Sequence, residues 1–352
     1  MDNNVLNLVS ANENESGVIS LRDYIAEQAP EKPYRFVVIY NDPSNVGDDS
    51  KEETDPLADK MLSFGKELGL TGFKAKIEET YIIKKDGKLF VYDKEDNEFE
   101  VDDNTIIFNR SKSNDFPSWQ NFYRELTING VKVINPMSVH NICWDKYHTY
   151  LKLEQDYIKQ PFTVLVNDLD KLEDIHKRIG GKFPVVLKTI LGTGGVGVLK
   201  IKDEAQLLSS AQIINKLGSE RGLILQEYIE IDFDVRVMMV AGEIMGAMKR
   251  PLAEGDFRSN VHQGSKPEKF ELTELEKDVC LKVDRSIGGK WIGVDLIVSE
   301  DREKVPPYVL EINSQPGHVG YDSVHSGSIL KDVLVKFMNR DNWTWLLTTK
   351  VV

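Results

Sequence analysis

The 352-residue chain is 41% hydrophobic and 29% charged, enough apolar material for more than one lobe and too much for a disordered or fibrous protein. Its 44 Lys and Arg face 57 Asp and Glu, a formal charge of −13, which argues against nucleic acid or an anionic membrane as a partner, since both need a basic surface. Cys143 and Cys280 lie far apart without metal-ligand spacing, and no apolar run suits a signal segment or a membrane span, so a reducing cytoplasm is the expected compartment.

Residues 1–33 are polar and include Pro30 and Pro33, which reads as a loosely held N-terminal extension. Residues 36–40 read as a strand, and 41–60, with seven acidic residues against two lysines, as a solvated loop. A helix is expected over 59–68, and a hairpin over 81–101 around Asp86-Gly87. A strand at 105–109 leads into Arg110, and a helix at 119–129 and a strand at 131–134 complete a small α/β domain over 34–136.

A second unit opens with a helix from about Ser138, a strand at 162–166 and a short helix at 169–179. Strands at 184–190 and 196–201 flank a glycine-rich turn. A helix at 204–217, a strand at 223–229 and a hairpin at 234–248 turning at Ala241-Gly242 follow. Thr273 and Glu276 form a capping box for a helix that carries Val279, Cys280, Val283 and Ile287 on one face and stops at Gly288-Gly289. Strands at 291–298 and 308–313, an amphipathic helix at 329–338 and a tail over 341–352 close the chain.

The glycine turn, Gly192-Thr193-Gly194-Gly195-Val196-Gly197, fits G-x-G-x-x-G but runs on into a strand, where a dinucleotide fold would need a helix. It is either a hairpin tip whose bare backbone N–H groups close over phosphates or a tight turn that needs positive φ. Lys188, inside an apolar strand four residues earlier, calls for an anion unless it lies on an exposed edge. Lys146 alone reads as a solvent-facing helix lysine. Glu311 and Asn313, two apart in a strand, share a face that Leu310 and Ile312 leave. A hairpin centred near Glu303 sets Asp295 opposite Glu311; the two carboxylates then either hold a cation, with Mg²⁺ suiting their hard oxygens, or pair with Lys or Arg. Lys249-Arg250 and Arg258 form a modest basic cluster, and His262 reads as a hydrogen-bonded loop histidine.

In this order, Lys146, Lys188, the glycine hairpin, Gln226-Glu227-Tyr228-Ile229, Asp234-Val235-Arg236, Gly255-Asp256-Phe257-Arg258-Ser259-Asn260, Asp295 and Glu311-Ile312-Asn313 resemble the ATP-grasp fold, and more narrowly its RimK-type branch. The likeness spans about residues 136–338. It implies an α+β protein with two subdomains, 137–222 and 223–340, enclosing ATP behind a small pre-ATP-grasp α/β domain that helps bind substrate. On this resemblance Lys146, Lys188, Gly192, Gly194, Gly195 and Gly197 face the nucleotide, Glu227 and Tyr228 its adenine, and Asp234 its ribose. Arg258, Ser259 and Asn260 form the phosphate and acyl-phosphate loop. Asp295, Glu311 and Asn313 match the family's ligands to Mg²⁺, which Mn²⁺ can replace.

The implied activity is ATP-dependent, ADP-forming carboxylate–amine ligation, joining a glutamate-like amino acid to a peptide or protein C-terminus or to a small amino-acid acceptor. Lys188, Arg236 and Arg258 would act on the reacting anions. The alternatives are an ATP-grasp phosphotransferase and a nucleotide-binding regulator without activity. The sequence is compatible with a homo-oligomer and does not set the oligomeric state.

Overall fold

The computed structural model describes residues 35–41, 56–112, 116–191, 197–216, 222–252 and 266–338. The expected N-terminal extension, most of the acidic loop and the C-terminal tail lie outside the described residues. The chain divides into two compact units, one of Met1–His140, Gly289–Trp291 and Gly317–Val352, the other of Asn141–Gly288 and Ile292–Pro316.

In the first unit, β1 (Arg35–Tyr40) is buried almost throughout, as a five-residue apolar run in a parallel sheet should be. Helix α1 (Pro56–Glu67) places Asp59 in its first turn and Lys66 in its last, matching the helix dipole at both ends. It leads to β2 (Thr71–Lys76), a strand with no sequence forewarning because Ala75 alone of its side chains is buried. The hairpin of β3 (Tyr81–Lys85) and β4 (Lys88–Tyr92) turns at Asp86 and Gly87, both at positive φ, and β5 (Glu98–Val101) extends it to three strands. Next come β6 (Thr105–Arg110), α2 (Pro117–Ile128) and β7 (Lys132–Ile134). Strands β2-β1-β6-β7 form a parallel sheet in that order. One core joins it to the three-stranded sheet and α2, through Val37, Ile39, Ile107, Leu89, Val91, Tyr123 and Leu126.

The single helix expected from Ser138 is two, α3 (Met137–Trp144) and α4 (Lys146–Gln155). Asp145 breaks them: it adopts extended backbone, and its carboxylate caps α4 by accepting from the backbone N–H of Tyr147 at 2.9 Å and His148 at 2.8 Å.

The second unit holds two sheets. The first is antiparallel, in the order β10 (Val198–Ile201), β9 (Val185–Thr189), β11 (Leu223–Glu227), β8 (Thr163–Val166). Its inner face packs Val185, Leu187, Ile201, Leu223 and Leu225 against Leu172 of α5 (Leu172–Arg178) and Leu207 of α6 (Glu204–Lys216). The second sheet runs β14 (Glu268–Phe270), β13 (Glu243–Pro251), β12 (Phe233–Val240), β15 (Trp291–Ile297), β16 (Tyr308–Asn313). Helix α7 (Glu274–Ile287) buries the expected Val279, Cys280, Val283 and Ile287, opens on the Thr273/Glu276 capping box and stops at left-handed Gly288. The chain then returns to the first unit with α8 (Val319–Asp322) and α9 (Ile329–Met338), where Phe337 meets Phe108 edge-on at 6.3 Å.

Candidate functional site

The first sheet of the second unit has one face packed on helices, so period-2 alternation sends the intervening side chains to the other face. Antiparallel register aligns them: Lys188 lies opposite Val198 and Ile224, and Val186 opposite Lys200 and Gln226. This face is an apolar bed with lysines set into it. Gly197, at φ +73, closes the stem of the glycine turn. A Cβ there would lie 2.5 Å from Thr189 Oγ1, so any other residue would strain the backbone and push on Thr189, whose backbone N–H donates to Gly197 O at 3.0 Å.

Lys146 is brought to the same place by the break between α3 and α4. Asp145 bridges Leu191 as in a β-ladder, and the backbone N–H of Lys146 donates to Ile190 O at 3.1 Å, pinning the start of α4 to the end of β9. Glu311, from the other sheet, lies close enough to both lysines to act on their charge. Burial lowers the Lys188 pKa to about 8, with Glu311 opposing and Lys146 adding to the shift. Lys146 is lowered for the same first reason, with Glu311 and Asp145 opposing. Burial and the Glu311 charge push the neighbouring Cys143 thiol up.

Asp295 faces Glu311 across the β15/β16 ladder, as the spacing predicts. The alternation does not run straight. A bulge leaves Leu310 as an extra, half-buried residue, and the core positions of β16 are Val309 and Ile312. Such a bulge re-aims side chains at a site. The Asp295 carboxylate, 3% exposed, is held by two arginines. Arg236 forks onto it through Nε at 2.7 Å and Nη2 at 2.6 Å, and Arg250 Nη2 reaches its Oδ2 at 2.9 Å. Asn313 Nδ2 stands 3.4 Å from the same oxygen. Burial alone would raise this carboxyl, but the two guanidiniums hold it below the usual range. Gly293 makes the room: a Cβ there would sit 3.4 Å from Arg236 Cδ and 3.1 Å from Pro316 Cβ.

Arg250, which sequence reasoning placed only in a basic cluster, is the centre of this lattice. Its fork also grips Asp234, Nε to Oδ1 at 2.7 Å and Nη2 to Oδ2 at 2.5 Å, with both residues under 5% exposed. The signal was its partner across the hairpin. A regular ladder turning at Ala241-Gly242 pairs Asp234 with Lys249, but a register shift after Met238 advances it to Arg250. Asp234, expected beside a ribose, therefore presents both carboxylate oxygens to Arg250.

Elsewhere, Glu227 is exposed and its carboxylate accepts from the backbone N–H of Phe162 at 3.3 Å. Tyr228 lies under Lys200 Nζ, 3.8 Å from the ring centre, and borders an open cavity of about 490 Å³ with Phe183, Pro184, Lys200, Lys202 and Glu230. Gly192, Gly194, Gly195, Arg258, Ser259 and Asn260 lie outside the described residues. Among the described residues no three His, Cys, Asp or Glu gather to hold a metal by themselves. The donors present fit Mg²⁺ in its common protein setting, one or two carboxylates with phosphate oxygens and water completing the octahedron. No described helix is long and apolar enough to cross a membrane.

An antiparallel sheet bearing lysines beside a glycine-loop stem, facing a carboxylate-bearing hairpin of a second sheet, defines an ATP-grasp architecture. Solved structures agree. The macrocyclase MdnC of Microcystis aeruginosa MRC, bound with precursor peptide MdnA, matches with a TM-score of 0.64 at 11% identity over 87% of this chain and 99% of that one. The ATP-grasp ligase PsnB, in a complex with a phosphomimetic minimal precursor, Mg and ADP, matches at 0.61 and 16% over 87% and 98%. In sequence, 220 residues are 31% identical to the "Probable alpha-L-glutamate ligase" of Teredinibacter turnerae, covering 62% of this chain and 70% of that protein, and 222 residues are 30% identical to its namesake in Psychromonas ingrahamii, with the same coverage. The family model for the RimK-like ATP-grasp domain matches residues 143–335. The chain belongs to the RimK-like ATP-grasp family, whose members are carboxylate–amine ligases that use ATP and Mg.

Proposed function

We propose that this protein joins a carboxylate to an amine through an acyl phosphate, at the expense of ATP. A substrate carboxylate oxygen attacks the γ-phosphorus of ATP, the bond to the β,γ-bridging oxygen breaks and ADP leaves. The amine then attacks the acyl carbon, loses a proton, and inorganic phosphate departs as the amide forms. No protein nucleophile is needed. The observation that carries this reading is the convergence of Lys146, from the start of α4, and Lys188, from one sheet, on Glu311 from the other sheet, beside an apolar face on which an adenine can lie.

In this reading Lys146 and Lys188 neutralise the charge on the phosphates, a preorganised stabilisation that costs no reorganisation during the reaction. Glu311, Asn313 and one oxygen of Asp295 would hold Mg²⁺, which supplies further neutralisation of the transferring group. Tyr228 and Glu227 flank the base. Arg258, Ser259, Asn260 and the glycines at 192, 194 and 195 keep their proposed place at the phosphates, over subdomains bounded at about 136, 222 and 340. The names of the curated relatives favour a glutamate-like amino acid as one partner, and the precursor peptides of the structural neighbours favour a peptide end as the other. ADP release across amino acids and peptide C-termini, with mass spectrometry of the product, tests this: ADP formed only when carboxylate and amine are both present, with a product one amide heavier, is expected. Phosphorylation of a hydroxyl without an amine requirement would overturn it.

A further inference from the structure

Resting on the metal reading above, we propose that Arg236 and Arg250 clamp Asp295 so that a divalent cation enters this site only together with nucleotide phosphates. A carboxylate offers about four lone-pair positions. Arg236 takes one on each oxygen through its fork, while Arg250 and, at 3.4 Å, Asn313 crowd Oδ2, so among the described residues the position left for a metal is on Oδ1. Asp295 is thereby confined to a single metal bond, and its charge is already answered. The balance of the neighbourhood points the same way. Asp145, Asp234, Asp295 and Glu311 face Arg236, Arg250, Lys146 and Lys188. Four carboxylates already answered by four cationic side chains leave no net negative charge to draw in a bare divalent ion, whereas a polyphosphate brings the charge the ion needs.

Arg236 is the accessible half of the clamp, with its side chain 16% exposed against 5% for Arg250. Arg250 is a positioning residue, fixed by Asp234 and holding Asp295 in turn. Gly293 keeps the strand surface bare where Arg236 lies.

The test is Mn²⁺ uptake by the full-length protein, read from the electron paramagnetic resonance signal of free Mn²⁺, with and without ADP. The apo wild type should leave that signal unchanged at concentrations where the ADP complex removes it. Arg236→Met should bring about a tenfold or larger gain in apo Mn²⁺ affinity, a modest value for lifting one charge a few ångströms away. Adding Asp295→Asn should abolish the gain. Arg236→Lys, which keeps the charge but gives up the fork, should show a smaller gain than Arg236→Met. Equal Mn²⁺ uptake by the apo and ADP-bound wild type would overturn the clamp even if Arg236→Met does not fold, and so would an Arg236→Met protein with unchanged affinity. Glu311→Ala separates the two ideas: undiminished Mn²⁺ uptake with ADP would refute the ligand set itself, whereas lost uptake with ADP upholds it whatever the arginine variants do.

Discussion

Replacing Arg250 by Met tests the buried lattice most sharply. The guanidinium is 4% exposed and bonds both oxygens of Asp234 and one of Asp295. Taking it away removes the fork from Asp234 and one of two arginines from Asp295 while both carboxylates stay buried. Breaking a buried ion pair from one side costs about 3–5 kcal/mol, because the remaining charge is neither solvated nor matched. With a urea slope of about 2 kcal/mol/M, the midpoint should fall by about 1.5–2.5 M, read by far-UV circular dichroism on the full chain. Arg250→Lys should lose most of the same amount, since an ammonium cannot bond both carboxylates in a planar fork. Adding Asp234→Asn to Arg250→Met should recover about 1 kcal/mol or more, because one stranded charge is gone. A single-variant cost below about 1 kcal/mol, or strict additivity in the double variant, would refute the reasoning.

Lys188→Ala should cut ADP release by about 100-fold or more, the usual loss for a preorganised charge at a transferring group, with the circular dichroism unchanged; near-normal release removes Lys188 from the phosphates. Gly197→Ala must hold a side chain at φ +73 and 2.5 Å from Thr189 Oγ1, so a loss of about 1–3 kcal/mol in thermal melts is expected, with part recovered by Thr189→Ala. In the first unit, burial, with Asp322 adding and Lys336 and Lys331 opposing, raises the Asp332 carboxyl to about 6. The folded form therefore binds more protons than the unfolded chain between about pH 4 and 6, and stability falls as pH rises through that window. Asp332→Asn should stabilise by about 1–3 kcal/mol at pH 7.5 and by about nothing at pH 3.5, in paired denaturation curves.

The parts of the fold that local chemistry dictates were readable from the chain alone. Asp86-Gly87 and Ala241-Gly242 marked their turns, Thr273 and Glu276 their capping box, and the spacing of Asp295 and Glu311 their register. The features that escaped depend on contacts distant in sequence. Strand β2 carries no apolar alternation because it is held by the ladder to β1 rather than by its own side chains. The bulges that admit Arg250 to Asp234 and set Leu310 aside depend on how each pair of strands twists over its neighbours. For Asp295 the sequence left a cation and an arginine as rival partners. The structure supplies the arginines, and the lone pair they spare keeps a metal in play.

Oxygen transfer tests the central claim most directly. With the carboxylate substrate labelled in both oxygens with ¹⁸O, an acyl phosphate carries one labelled oxygen into the released phosphate and leaves the other in the amide. The account predicts one ¹⁸O in inorganic phosphate for each amide formed, with ADP as the nucleotide product. Unlabelled phosphate, or label appearing in AMP, would contradict it.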